Sequence, residues 1–414
     1  MTNTYILLIS FLAIACVILK PFKISEYIWA CAGASILLIT GFLSPSNVFS
    51  ALAKGNDVYL FLVGMMLLAE AARIEGLFDW LAAHATRSAK GSAKRLFLLI
   101  YLVGTIVTIF LSNDATAVVL TPAVIAAMKA GKVKDPMPYL FICAFVANAA
   151  SFVLPISNPA NLVIYGDHLP SLSGWLSGFL IPSLISIITT FIVLMIVQRK
   201  QLLQAIQLDI PIPNLSNGGK TALAGILLSA IVLLACSAID IPLGLPTFLA
   251  GLFTVIIIFF STKRNPLSIA KSVSWQVLPL VGGLFVIVEG LSKTGLTQSI
   301  ATFLMQHTDV NVTSATWGTG VFTAFICNLM NNLPAGLTAG NVILIANPPE
   351  IVRRAILIGI DMGPNLSLTG SLASILWLVA LRRENLNVSA WSFLKLGIVV
   401  MTIPLILVLA SLFI

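Results

Sequence analysis

Four short polar segments interrupt long apolar stretches of this sequence, and they hold the residues best suited to chemistry. They read SNDAT at 112–116, PISNPAN at 155–161, MNNLP at 330–334 and DMGPN at 361–365. Hydrocarbon penalises unsatisfied backbone groups and buried carboxamides, so such breaks at membrane depth line a cavity or a ligand site. Because the breaks recur in matching order in the two halves, they predict the midplane binding site of a transporter.

The predicted site is rich in hydroxyl and carboxamide groups. Its candidate substrate-binding residues are Ser112, Asn113, Asn158, Asn161, Asn331, Asn332 and Asn365, with Ser157 beside them. These groups both donate and accept hydrogen bonds, which suits a small neutral polyol-like or hydroxide solute. The four segments contain no Lys, Arg or His, so they form a poor cradle for a dicarboxylate or a phosphate. Helix N-termini could still attract an anion.

Asp114 and Asp361 are the acidic residues of these breaks. A charged carboxylate is costly at membrane depth, so each aspartate can take up and release a proton, which provides a mechanism of proton coupling. A sodium ion held by Asp, Asn and backbone carbonyl oxygens is the rival interpretation. The residues alone leave both open.

The composition sets the class of protein. The chain has 414 residues, of which 58% are hydrophobic and 9% charged, and its mean hydropathy is +1.04. These values are typical of a polytopic membrane protein in the lipid bilayer. The net charge of +8 comes from basic residues in short loops rather than on one face, which argues against a nucleic-acid partner.

Other function classes find little support. The five cysteines occur singly, and no CxxC or Cys/His spacing predicts a metal or redox site. No HExxH or GxSxG motif occurs, and no histidine lies in a predicted span, which argues against an intramembrane enzyme. No cofactor is predicted. A passive channel is a third possibility, but acidic residues at two matching breaks suit coupled exchange better.

The distribution of basic residues predicts the topology. If 96–128 and 313–347 are re-entrant hairpins and the N-terminus is outside, 19 of the 23 basic residues, including Arg264, face the cytoplasm. If both blocks crossed the membrane once, the partition would be 11 against 12. The positive-inside rule favours the hairpins. We therefore expect an all-α protein with about ten transmembrane helices, two re-entrant hairpins and both termini outside.

The two halves form a predicted inverted repeat. Gly64, Glu70, Gly76 and Leu77 match Gly283, Glu289, Gly295 and Leu296 at an offset of 219. We further align Asn113 with Asn331 at an offset of 218, and Asn161, Leu162 and Gly166 with Asn365, Leu366 and Gly370 at 204. A nearly constant offset indicates duplication, and the predicted topology gives the two units opposite orientations.

These patterns divide the chain into five regions. They are a first peripheral helix at 1–22, repeat 1 at 24–170 with a broken helix at 137–166, connecting spans at 171–240, repeat 2 at 243–381 with a broken helix at 354–380, and a terminal helix at 395–414. Glu70 and Glu289 lie near predicted helix ends. We expect them to have structural roles, such as pairing with Arg73 and Lys293.

Four stretches carry a resemblance to a known family. FLSNDATAVVLTP, ANAASFVLPISNPANLVIYG, ICNLMNNLPAGL and GIDMGPNLSLTGSLASILW closely resemble the bacterial arsenite/antimonite permeases of the ArsB type. Sodium–dicarboxylate members of the wider ion transporter superfamily usually carry Ser-Asn-Thr at the hairpin tips. Here the tips read Ser112-Asn113-Asp114 and Asn331-Asn332-Leu333, which argues against carboxylate cotransport.

The resemblance implies proton-driven efflux of trivalent arsenic and antimony, as neutral hydroxides, across the bacterial inner membrane. It also implies an optional soluble ATPase subunit on the cytoplasmic side. The chain itself has no GxxxxGK[ST] motif for ATP. The alternative is a sodium-coupled ion or small-solute transporter of the same superfamily.

Overall fold

The computed structural model describes residues 2–166, 169–204, 206, 213–239, 241–263 and 265–414, and of Lys23 it describes the backbone only. The described chain is helical, and Arg264 of the predicted cytoplasmic loops lies outside these residues. Six of its helices are long and apolar enough to cross a membrane, or seven if one bent pair counts as a span. A helix overlaps each of the eight apolar runs that the sequence predicts as single spans, at 5–19, 24–43, 57–72, 176–197, 220–238, 243–260, 276–291 and 396–413.

The helices of the first half run as follows: α1 (Thr2–Leu19), α2 (Glu26–Ile39), α3 (Pro45–Ala53), α4 (Asn56–Ile74), α5 (Leu77–Ser88), α6 (Ala93–Leu111), α7 (Asn113–Ala115), α8 (Thr121–Ala130), α9 (Met137–Ala149), α10 (Pro159–Tyr165) and α11 (Leu172–Val197). A π-helical turn, Thr116–Leu120, joins α7 to α8.

The helices of the second half are α12 (Asn217–Ala238), α13 (Gly244–Thr262), α14 (Pro266–Ser272), α15 (Val277–Lys293), α16 (Leu296–Val310), α17 (Val312–Met330), α18 (Asn332–Ala346), α19 (Glu350–Met362), α20 (Leu372–Arg383) and α21 (Ala390–Ser411). Helices α6–α8 and α17–α18 coincide with the predicted hairpins, which we call hairpin 1 and hairpin 2. Their depth in the bilayer stays a prediction.

The helix limits confirm the repeat and correct its register. Gly76 and Gly295 start α5 and α16 with φ of 78° and 84°, a left-handed conformation that glycine adopts without steric cost. Helices α6 and α17 end at residues 111 and 330, again 219 apart. Ser112 therefore corresponds to Asn331, and Asn113 to Asn332. The predicted match of Asn113 with Asn331 is wrong by one residue.

The broken helices also need a different alignment. The breaks at 150–158 and 363–371 have equal length, and the helices on both sides of them are offset by 213 residues. Asn161 lies inside α10, whereas Asn365 lies in the break after α19. The predicted equivalence of Asn161 and Asn365 is therefore wrong, because shared residue types outweighed helix position in that alignment.

Two matching helix pairs pack closely, and each pair joins a helix of repeat 1 to a helix of repeat 2. Helix α4 packs on α13, and α15 packs on α2. A Cβ atom at Gly64 of α4 would lie 2.6 Å from the backbone nitrogen of Phe248, and one at Gly283 of α15 would lie 2.7 Å from the backbone carbonyl carbon of Ala30. Both glycines therefore allow the backbones of two helices to approach each other.

Candidate functional site

Hairpin 1 turns at Ser112. This residue has φ 106° and ψ 162°, and its hydroxyl accepts a hydrogen bond from the Ala115 backbone N–H at 3.5 Å. The Asn113 side chain accepts one from the backbone N–H of Asp114 at 2.9 Å. These local bonds end α6 and begin the second arm of the hairpin. Ser112 and Asn113 are buried, whereas Asp114 is only partly buried.

Asp114 lines a cavity of about 90 Å³, which we call the Asp114 cavity. Its other polar side chains include those of Ser112, Glu70 and Ser274, and Pro159 and apolar residues of α4, α15 and α20 complete its wall. Such a volume holds a few water molecules or a small solute. None of the described residues that line it is basic.

Asp361 lies at the end of α19 and is fully buried. One carboxylate oxygen accepts a hydrogen bond from the Asn158 amide at 2.7 Å, and the other has no partner among the described residues. The Asn158 side-chain oxygen, Oδ1, accepts a hydrogen bond from the backbone N–H of Ala160 at 3.0 Å and so caps α10. Asn158 thus joins the acidic residue of repeat 2 to a half-helix of repeat 1.

A second side-chain contact joins the end of α9 to the break after α19. The Asn148 amide donates to the Asn365 side-chain oxygen at 3.0 Å, and both residues are buried. The Asn161 amide donates to the Ser151 carbonyl at 2.8 Å. Asn148 Oδ1, Asn161 Oδ1 and Asn365 Nδ2 have no partner in the described structure. Unsatisfied buried polar atoms are uncommon in folded proteins, so these three mark an unusually polar part of the interior beside the two helix breaks.

The tip of hairpin 2 is bound to the break that follows α19. The Asn331 amide donates to the Thr369 carbonyl at 3.2 Å, and the Asn332 backbone N–H donates to the Gly370 carbonyl at 2.8 Å. Asn328 adds two contacts, donating to the Gly363 carbonyl at 2.9 Å and accepting from the Ser367 hydroxyl at 2.6 Å. Hairpin 2 and this break therefore form one connected unit.

The four breaks are neighbours, but their side chains form three groups. Helix α10 of repeat 1 packs on α18 of hairpin 2, and α20 of repeat 2 packs on hairpin 1. The first group is at the Asp114 cavity, the second surrounds Asp361, and the third is the tip of hairpin 2. Leu372 lines both the Asp114 cavity and a smaller cavity beside Asn331, so the first and third groups lie on either side of this residue.

Several residues of the site were absent from our sequence predictions. Asn148 and Asn328 lie within helices α9 and α17, away from any proline or glycine. Glu70 pairs with Arg73 as expected. The expected partner of Glu289 is wrong, because its carboxylate contacts Lys54 at 2.8 Å. The described residues contain no group of His, Cys, Asp or Glu that could hold a metal ion.

Comparison with known families shows to which family the chain belongs. The profile of the citrate transporter family, CitMHS, matches residues 13–380. The chain belongs to this family. It is a multi-pass membrane transporter, and no catalytic activity is indicated for the family or the relatives below.

Relatives of this transporter include arsenical pump membrane proteins. The protein of that name from Escherichia coli K12 is 28% identical over 413 residues, covering 96% of this chain and 95% of the relative. The one from Yersinia enterocolitica is 27% identical, covering 91% and 90%. The resemblance found from the sequence motifs is therefore confirmed.

Two solved structures share the fold. The Alcanivorax borkumensis YdaH transporter aligns with a TM-score of 0.59 at 14% identity, covering 88% of this chain and 86% of YdaH. Neisseria gonorrhoeae MtrF aligns with a TM-score of 0.55 at 14% identity, covering 99% and 94%. The predicted fold class, an all-α polytopic membrane protein built as an inverted-repeat transporter with broken helices, is confirmed.

Proposed function

We propose that this transporter exports trivalent arsenic and antimony, as the neutral hydroxides, in exchange for protons across the bacterial inner membrane. Relatives that align over nearly the whole chain are named arsenical pump membrane proteins. The observation that carries the proposal is the Asp114 cavity, which combines hydroxyl and carboxylate groups with no basic lining residue. Such a lining suits an uncharged trihydroxide, whose groups donate and accept hydrogen bonds.

The same lining argues against citrate as the substrate. A tricarboxylate needs positive charge or many hydrogen-bond donors to replace its hydration. Asp114 and Glu70 place acidic groups in the cavity, and the polar cluster around Asp361 adds carboxamides and a third carboxylate. The name of the family therefore does not extend to the substrate that we propose for this chain.

Asp114 and Asp361 are the proposed proton-coupling residues, in two different settings. Asp114 faces the cavity, so a solute and a proton can compete for the same carboxylate. Asp361 is buried and held by Asn158, which also caps α10, and α10 contributes Pro159 to the cavity wall. A change in the protonation of Asp361 would therefore alter the hydrogen bond that positions this wall.

The substrate-binding residues follow from this arrangement. Ser112 contacts the solute in the cavity, and Asn113 shapes the hairpin tip beside it. Asn158, Asn161 and Asn365 hold the two breaks, while Asn331 and Asn332 hold hairpin 2 on the opposite side of Leu372. In the predicted topology both termini are outside, and a soluble arsenic-efflux ATPase subunit would dock on the cytoplasmic loops.

Export is tested in an arsenite-sensitive bacterium. Cells that express this transporter should accumulate less arsenite and antimonite than cells with an empty vector, while citrate accumulation stays unchanged. An Asp114→Asn variant at the same membrane level should lose the effect. Unchanged arsenic accumulation with verified membrane insertion would refute the proposal, and a strict sodium requirement would transfer the coupling to sodium.

A further inference from the structure

The Asp114 cavity contains a second carboxylate, that of Glu70 on α4. Arg73, one turn further along α4, binds it with its Nε at 3.1 and 3.0 Å from the two oxygens and with a second guanidinium nitrogen. Glu70 is buried, whereas the Arg73 side chain is 43% exposed and does not line the cavity. The pair therefore extends from the cavity to a more exposed position, which the predicted topology places on the cytoplasmic side.

Repeat 2 lacks this arrangement. Glu289, the residue equivalent to Glu70, pairs with Lys54 at 2.8 Å. It lines neither the Asp114 cavity nor the cavity beside Asn331. Each repeat thus has a paired glutamate near a helix end, but only Glu70 shares a cavity with a proposed coupling aspartate. An ion pair accounts for the position of Glu289. It does not account for the presence of the Glu70 carboxylate in the lining of the Asp114 cavity.

The charged groups near Glu70 are few. Arg73 contacts it directly, Asp79 of α5 interacts with Arg73, and Asp114 shares the cavity. The other helices that pack against α4 are α6, α10, α12, α13, α14 and α15. Among the described residues, these helices contribute no charged side chain to the cavity lining. Among the described lining residues, Glu70 therefore has the carboxylate that can accept a proton released by Asp114 into the cavity.

We propose that Glu70 relays protons between Asp114 and the cytoplasm, an inference that rests on the proposed arsenite/proton exchange. When arsenite enters the cavity, the Asp114 carboxylic acid gives its proton, across water in the cavity, to the Glu70 carboxylate. Glu70 then passes the same proton to cytoplasmic water and returns to its pair with Arg73. Asp114 is left ionised, and one proton has moved from it to the cytoplasm.

Two transport modes in everted vesicles separate this role from a structural one. Arsenite counterflow exchanges arsenite for arsenite and needs no net proton transfer, whereas uptake driven by a pH gradient does. We expect Glu70→Gln to keep counterflow and to lower pH-driven uptake about ten-fold or more, as the loss of a proton-transfer group does. The matched control Glu289→Gln, which breaks the equivalent ion pair, should retain both modes.

A second variant gives the decisive comparison. Arg73→Gln breaks the same ion pair but leaves the Glu70 carboxylate in the cavity lining. We expect it to keep counterflow and most of pH-driven uptake. Full activity of Glu70→Gln, or a loss of pH-driven uptake in Arg73→Gln equal to that in Glu70→Gln, would overturn the relay while arsenite exchange stands. A parent protein inactive in both modes would refute the proposed function, and the relay with it.

Discussion

Asn158 supports a quantitative prediction, because the oxygen and the nitrogen of its side-chain amide have different partners. The oxygen caps α10, and the nitrogen donates a hydrogen bond to Asp361. Asn158→Ser keeps a capping side chain but removes the amide that donates to the buried Asp361 carboxylate. Leaving such a buried acceptor unsatisfied costs about 1–3 kcal/mol. Asn158→Ala also loses the cap, at roughly 1 kcal/mol more.

The assay is thermal unfolding of the purified transporter in detergent. A loss of 1 kcal/mol lowers Tm by about 2–4 °C in a domain of 150–250 residues and by less in a longer chain. We therefore expect a decrease of a few degrees for Asn158→Ser and a larger one for Asn158→Ala. Asn217→Ser, at an exposed position, is the control. If both Asn158 variants unfold with the parent and the control, Asn158 does not hold Asp361.

Three further predictions follow from the repeat, the loops and the aspartates. Gly64→Val should destabilise the protein by about 1–3 kcal/mol, because the valine side chain would clash with the backbone of Phe248. The control Gly318→Ala has free space for its methyl group and should unfold like the parent, and equal Tm values for the two variants would contradict the close packing of α4 and α13. Cysteines introduced at the exposed Lys90, Lys132 and Lys263 should resist an impermeant thiol reagent outside intact cells, and labelling at Lys132 but not at Lys90 would show that hairpin 1 crosses the membrane. The double variant Asp114→Asn with Asp361→Asn should bind arsenite yet lose pH-driven uptake, and normal uptake would exclude the aspartates as proton carriers.

Local sequence signals predicted the positions of the breaks. Proline follows Asn158 directly, and the asparagine, serine and aspartate of the hairpin tips can bond to nearby backbone, so these local features favour a helix break in each segment. The predicted single spans are long apolar runs, and a helix therefore overlaps each of them. Gly76 and Gly295, which start α5 and α16, could be aligned from the sequence because each is followed by leucine at the same offset of 219.

Contacts between distant segments were beyond such signals. Asn148 and Asn328 are single polar residues in helices, and their partners lie 217 and 35 residues away along the chain. Lys54 and Glu289 are 235 residues apart, whereas the predicted partner Lys293 is one turn away. The shift from Asn331 to Asn332 as the equivalent of Asn113 depends on the residue at which the helix ends, which residue types alone do not fix.

The central claim is exchange of arsenite for protons, and everted membrane vesicles test it most directly. Vesicles that contain the transporter, with an acidic interior and a neutral medium, should accumulate arsenite, and collapse of the pH gradient with a protonophore should abolish the accumulation. A sodium gradient should not replace the pH gradient. Arsenite uptake that equals that of vesicles without the transporter, with the protein verified in the membrane, would contradict the account.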